Sequence, residues 1–230
     1  MNWASIPMVV GAYLLGAAPV LYLIGRLRGL RLQQGEDMHI SLWQKGGRVW
    51  GAIAVLWDMS KGVIAVVVAR ALGFDLLVVG LAGLAAVVGQ MWPAFLKGLG
   101  EKGNSTGLAM AFALTPTWAF VPGLAVIASG FFIRTVPRFL SRRQSLGQKL
   151  KFGGPPSLSL PLGMLVGFAL LPIGHWLFYP DEVRVVGVLG CLWGAIVLRR
   201  LTAELGADLK PGVDLKRVLL NRFLFDRSFL

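Results

Sequence analysis

Residues 103–133 read GNSTGLAMAFALTPTWAFVPGLAVIASGFFI, 31 consecutive residues without a charge. A helix needs roughly 20 apolar residues to cross the hydrocarbon core of a bilayer, so the run is too long for one span and brief for two. Thr115-Pro116-Thr117 and Pro122 lie inside it. Proline removes an intrahelical donor and clashes with the preceding turn, so the run predicts two short helices that meet near Pro116.

Charge tests this split. Outside it, apolar runs cover residues 2–25, 49–69, 76–96, 157–180 and 185–198. With seven helices and an external N-terminus, the segments around 26–48, 97–102, 134–156 and 199–230 face inward and carry 5, 2, 6 and 7 basic residues. Arg70 and Arg184 remain outside and Lys61 lies in the membrane. Six helices would instead export residues 134–151, with six basic residues and no acid. Lys and Arg are retained on the cytoplasmic side, so the pattern predicts an all-α integral membrane protein of about seven spans with a cytoplasmic C-terminus.

Composition agrees. Of 230 residues 56% are hydrophobic and 15% charged, with net charge +12, which excludes an ordinary soluble domain. A lone cysteine excludes a disulfide framework and a Cys-built metal site; Cys191 reads as a small packing residue. Arg26, Arg28 and Arg31 follow the first apolar run rather than precede it, the reverse of a cleaved signal peptide. The last run has only 14 uncharged residues, about 21 Å of helix, so Arg184 and Arg199 are expected to snorkel at its ends. Residues 1–230 read as a single transmembrane domain. Within it, 199–230 form a basic cytoplasmic tail, expected to lie as a helix on the inner membrane surface.

Metal-dependent transfer enzymes of membranes hold Mg²⁺ with carboxylate clusters, and neither Asp-x-x-x-Asp nor Asp-Asp-x-x-Asp occurs here. His39 and His175 lack an Asp five positions later, which excludes the acyltransferases built on that pair. What remains is cationic and glycine-rich. Residues 97–107 read KGLGEKGNSTG. Closely spaced glycines let backbone amides approach an anion, a helix starting near Ser105 adds its positive end, and Lys102 adds a full charge. The Lys precedes the Gly, so this is no Walker A loop; a flexible basic connector is the bland reading. In the first inner loop Lys45 and Arg48 form a second candidate anion clamp, with His39 and Ser41 as polar contacts. Asp58 and Lys61, at i and i+3, face each other within a span, where ionisable groups are costly and mark a site or a structural ion pair. Trp43, Trp50 and Trp57 recur every seven residues and are expected to share one interfacial stripe. His175 reads as a satisfied interface residue.

These pieces together resemble the bacterial acyl-phosphate-dependent glycerol-3-phosphate acyltransferase family, from Gly16 through the tail. GAAPVLYLIG at 16–25 resembles the end of that family's first helix, and Trp57-Asp58-Met59-Ser60-Lys61-Gly62 its Leu-Asp-x-x-Lys-Gly pattern. Gly89-Gln90-Met91-Trp92-Pro93-Ala94-Phe95 resembles Gly-His-x-x-Pro-x-Phe. Residues 100–106 resemble Gly-Gly-Lys-Gly-x-x-Thr, and Thr115-Pro116 a later Ser/Thr-Pro. The first-loop pattern Ser-Gly-Asn-x-Gly-x-x-Asn-x-x-Arg falls on 34–44, where only Gly35 is kept and Gln44 replaces the Arg. His-Arg-x-Asn falls on 199–202, where Arg200 alone is kept.

The resemblance implies seven helices, a cytoplasmic-side active site in the inner membrane, and transfer of a fatty acyl group from acyl phosphate to the sn-1 hydroxyl of glycerol 3-phosphate. It implies no metal, cofactor or acyl-thioester carrier. Lys102, Ser41 and His39 are the candidate catalytic residues. Gly35, Lys45, Arg48, Gly100, Gly103, Ser105, Thr106, Arg199 and Arg200 are the candidate phosphate and substrate contacts, supported by Asp58 and Lys61. Membrane lipid is the expected surrounding, nucleic acid is not an expected partner, and the chain is expected to be a monomer. The substituted loop leaves open a re-engineered pocket using His39, Ser41, Lys45 and Arg199, a changed acceptor, or a non-catalytic binder of anionic lipid or acyl phosphate.

Overall fold

The computed structural model describes residues 3–30, 38–96, 100–141, 158–203, 205–209 and 214–227, and every regular element among them is helical. The 103–133 run breaks where the sequence places the break. Helix α6, Asn104–Leu114, ends at Thr115 (φ −102°, ψ 147°), and α7, Thr117–Leu140, starts after Pro116. The residue before a proline is driven from helical to extended backbone, and Thr115 takes that conformation. Only the first half is short, however. α6 has 11 residues, whereas α7 has 24 and passes through Pro122 and Pro137. Pro122 falls in the second turn, where one missing donor leaves a single carbonyl near the helix start, and membrane helices tolerate this.

The first apolar run is also divided, contrary to the single helix expected. α1, Ser5–Ala17, and α2, Val20–Leu27, meet at an extended Ala18 before Pro19, again the pre-proline effect. Next come α3, Met38–Gly46, α4, Arg48–Ala71, and α5, Leu76–Met91, the last capped by Asp75 accepting from Leu77 and Val78 amides at 3.0 and 3.2 Å. Gly47 between α3 and α4 has φ 100°, so Trp43 belongs to a different helix from Trp50 and Trp57. The expected single Trp stripe is thereby corrected: Trp43 packs against Gly51, and Trp50 lies under Arg28 at 4.4 Å. α8, Ser159–Phe178, and α9, Val183–Thr202, complete the long helices, followed by α10, Leu205–Asp208, and α11, Leu215–Phe225.

Among the described residues five segments are long and apolar enough to cross a bilayer: Ser5–Leu27, Arg48–Ala71, Thr117–Pro137, Ser159–Phe178 and Val183–Thr202. Large apolar side chains such as Phe132, Ile133, Leu177 and Leu198 point outward, while the interior is built from Ala, Val and Gly with Met91, Met110, Phe168 and Leu192. That inversion suits a chain solvated by lipid, where helices associate through small residues. The α7–α8 seam shows the device: a Cβ on Gly123 would come within 2.7 Å of the Gly167 carbonyl oxygen, and one on Gly130 within 2.6 Å of Ser159's.

Two polar details close the ends of the bundle. Arg70 donates to the Leu114 carbonyl at 2.8 Å, an acceptor orphaned by the break at Pro116. At the opposite end α11 docks beneath α8 and α9 with Val218 and Arg222 buried; Arg222 donates to the Arg200 carbonyl at 3.3 Å, to the Ala203 carbonyl and to Asp208. One side of the tail helix therefore packs on the bundle, while Leu215 and Leu220 stay exposed on the other. Two smaller expectations are corrected: Cys191 is exposed rather than packed, and Arg199 is buried, turned into the bundle instead of snorkelling. His175 is buried and pairs with Glu182 at 3.0 Å.

Candidate active site

The segment from Gly100 to Gly103 is shaped by contacts that only glycine permits at its two ends. A Cβ on Gly100 would overlap the Gln90 carbonyl oxygen and crowd the Pro93 ring. Gly103 sits at φ 71°, the left-handed region, and turns the chain into α6, whose first bond runs from the Gly107 amide to the Gly103 carbonyl at 2.8 Å. Between them the Glu101 amide donates to the Gln90 carbonyl at 3.1 Å. The loop is therefore pinned to the end of α5 and delivers Lys102 to the start of α6.

A second cation reaches the same loop from α9. Arg199 donates to the Gly100 carbonyl and lies 5.9 Å from the Trp92 ring centre. Its neighbour Arg200 turns elsewhere, donating to the Pro161 carbonyl at 3.1 Å and the Phe223 carbonyl at 3.4 Å. Arg200 thus holds α8 and α11 together, and Arg199 is the one of the pair that faces the loop. Lys102 Nζ pairs with Asp226 Oδ2 of the tail at 2.6 Å.

On the α4 side, Asp58 and Lys61 are both buried and bonded at 3.2 Å. The Thr106 hydroxyl lies 2.6 Å from the Asp58 carbonyl and also reaches Gln90 Oε1; with one proton to give, it serves one acceptor at a time. Thr106 is fully buried, so its hydroxyl ties α4, α5 and α6 together. His39, on α3, brings Nδ1 to 3.7 Å from Asp58 Oδ2 and 3.8 Å from Glu101 Oε2. Ser41 is buried on the same helix, Ser105 is half-buried in the first turn of α6, and Lys45 and Arg48 are exposed at the α3–α4 junction. Gly35 lies outside the described residues.

A glycerol-3-phosphate acyltransferase family profile matches residues 6–206. The chain belongs to the glycerol-3-phosphate acyltransferase family. A glycerol-3-phosphate acyltransferase of Rubrobacter xylanophilus is 35% identical over 137 residues, covering 58% of this chain and 67% of the relative. One from Synechococcus sp. (strain CC9902) is 35% identical over 167 residues, covering 71% and 80%. Glycerol-3-phosphate acyltransferase 5 of Dehalococcoides mccartyi is 30% identical over 238 aligned positions, covering 99% and 91%. Among solved structures, PlsY, an integral membrane glycerol 3-phosphate acyltransferase, matches in its glycerol 3-phosphate form with TM-score 0.64 at 22% identity, over 86% of this chain and 88% of that one. Its lysophosphatidic acid form matches with TM-score 0.63 at 20% identity, over 97% and 98%. At these identities the structural likeness carries the fold, that of a multi-pass membrane protein.

In this glycerol-3-phosphate acyltransferase family member, the structure brings together Gly100, Lys102, Gly103, Arg199, His39 and Asp58. Sequence reasoning missed Asp226, Gln90 and Trp92 as neighbours of the loop. Gln90 was legible as a substitution in the Gly-His-x-x-Pro pattern, and Glu101 as one in Gly-Gly-Lys-Gly. Asp226 carried no signal, since it lies over a hundred positions from Lys102 in a tail without a motif.

Proposed function

We propose that this chain transfers a fatty acyl group from acyl phosphate to the sn-1 hydroxyl of glycerol 3-phosphate, yielding lysophosphatidate and phosphate. The carrying observation is the glycine-bounded turn that presents Lys102 at the positive end of α6 while Arg199 meets the same turn from α9. Backbone amides, a helix N-terminus and a cation form an anion cradle. A preorganised cradle of this kind holds a phosphorylated substrate and stabilises the oxyanion that develops on the acyl carbonyl. The acceptor hydroxyl attacks the acyl carbon, the bond from acyl carbon to phosphate oxygen breaks, and the departing phosphate takes the hydroxyl proton. His39 and Ser41 of α3 serve as polar contacts to the acceptor, with Lys45 and Arg48 attracting anions at the α3–α4 junction.

The proposed topology counts α5 and α6 as short crossings beside the five long segments. It has an external N-terminus, with the cradle, tail and C-terminus on the cytoplasmic side of the inner membrane, and the positive-inside distribution supports it. A changed acceptor is the second reading, favoured by the Glu101 carboxylate, which adds negative charge to a loop that would otherwise receive two phosphates.

Purified full-length protein given palmitoyl phosphate, with and without glycerol 3-phosphate, tests both. Acceptor-dependent phosphate release with lysophosphatidate as product supports the first reading. Release that ignores glycerol 3-phosphate supports the second, and binding without turnover defeats both. Lys102→Ala is expected to cut turnover by about 100-fold or more, and full activity in that variant would sink the cradle mechanism.

A further inference from the structure

Three donor atoms of different chemistry meet beside the cradle. His39 Nδ1, Asp58 Oδ2 and Glu101 Oε2 lie within 4.8 Å of one another, contributed by α3, the middle of α4 and the loop before α6. Asp58 Oδ2 faces His39, is enclosed in a side chain 1% exposed, and accepts no hydrogen bond from the described residues. A buried carboxylate oxygen with an unused acceptor costs free energy unless a cation or donor meets it. Its other oxygen is held by Lys61 at 3.2 Å, which fixes the carboxylate's orientation as an outer-shell partner fixes a metal ligand.

We propose that His39, Asp58 and Glu101 form a binding site for a divalent transition-metal ion of the zinc type. Ligands about 2.1 Å from a tetrahedral ion stand about 3.4 Å apart, so the 3.7 and 3.8 Å separations from His39 contract by a few tenths of an ångström, while the two carboxylate oxygens, within 4.8 Å of each other, close by up to about 1.4 Å through rotation of the Glu101 side chain. One imidazole nitrogen with two carboxylates selects Zn²⁺, Co²⁺ or Mn²⁺ over Mg²⁺, which takes an all-oxygen shell. Lys61 holds Asp58 through Oδ1 and leaves Oδ2 turned toward His39. Three protein ligands leave a coordination position for water or a phosphate oxygen. Glu101 stands where the Gly-Gly-Lys-Gly pattern has glycine, so the site depends on a residue that this pattern does not carry.

The site does not depend on the acyl-transfer reading, because metal binding is measured without substrate. The alternative account of the cluster is a protonated His39 bridging the two carboxylates, which predicts no stoichiometric metal. Untagged full-length protein in detergent, stripped with a chelator and dialysed, is titrated with Zn²⁺ by calorimetry and with Co²⁺ by visible absorption. The expected result is one ion per chain, with Co²⁺ d–d bands. Binding weakens at least tenfold in His39→Ala and in Glu101→Gly and persists in His175→Ala, the remaining histidine. Thermal unfolding of the metal-free variants checks that each is folded, and Glu101→Gln replaces Glu101→Gly if the latter is not. Absence of stoichiometric binding overturns the proposal, and so does binding that His39 and Glu101 variants leave unchanged.

Discussion

Asp226→Asn removes the carboxylate that occupies Lys102. The pair is 2.6 Å long, with the lysine side chain 36% exposed and the aspartate 15%. It lies between a screened surface pair, which contributes about 0–1 kcal/mol, and a charge-assisted hydrogen bond in a protected setting, which contributes about 1.5–3. About 0.5–2 kcal/mol is a fair bracket. In the proposed cradle a phosphate must break this contact before it can use Lys102, so the same amount is subtracted from its binding. At about 1.4 kcal/mol per factor of ten, removal strengthens phosphate binding about 2- to 30-fold. Asn keeps the shape, and it tolerates the left-handed φ of 55° that Asp226 adopts at the end of α11. The assay is KM for acyl phosphate, with Kd for inorganic phosphate as a check. KM is expected to fall by that factor at unchanged kcat, and the gain is expected to shrink in high salt. If kcat falls while KM stays or rises, Asp226 positions Lys102 rather than competing for it, and the reasoning fails.

Other substitutions probe the supports of the site. Gly100→Ala puts a methyl group into the Gln90 carbonyl and Pro93; the loop must shift by about an ångström, so phosphate release should fall about 100-fold, with about 1–3 kcal/mol of stability lost in thermal unfolding. Asp58→Asn leaves the Lys61 ammonium buried without its counter-charge and is expected to cost about 3–5 kcal/mol, read as a lowered unfolding midpoint. Arg70→Met strips the donor from the Leu114 carbonyl and should cost about 1–3 kcal/mol in the same measurement while leaving KM for acyl phosphate within about twofold, since the contact lies at the end of α6 away from the loop.

Local features of the chain were legible because they act on their neighbours. Pro116 ends α6 through the backbone of Thr115, the apolar runs locate the long helices, and the Gly100–Gly103 spacing marks a turn fit for an anion. Misreadings arose where one residue outweighed a pattern. Pro19 divided an apolar run that looked continuous, and Gly47 at φ 100° split a seven-residue Trp repeat between two helices.

Sequence alone therefore determined that the chain is a helical membrane protein with a basic, glycine-bounded loop, because hydropathy, charge and proline sterics are read over a few residues. Tertiary structure alone decided which side chains meet at that loop. Whether Arg199 or Arg200 faces it depends on the rotation of α9. His39 reaches Asp58 and Glu101, and Asp226 reaches Lys102, only through packing of elements far apart in the chain. Close glycine seams let α4 approach α6, where a Cβ on Gly62 would strike the Thr106 carbonyl, and such contacts between distant backbones leave no periodic trace in sequence.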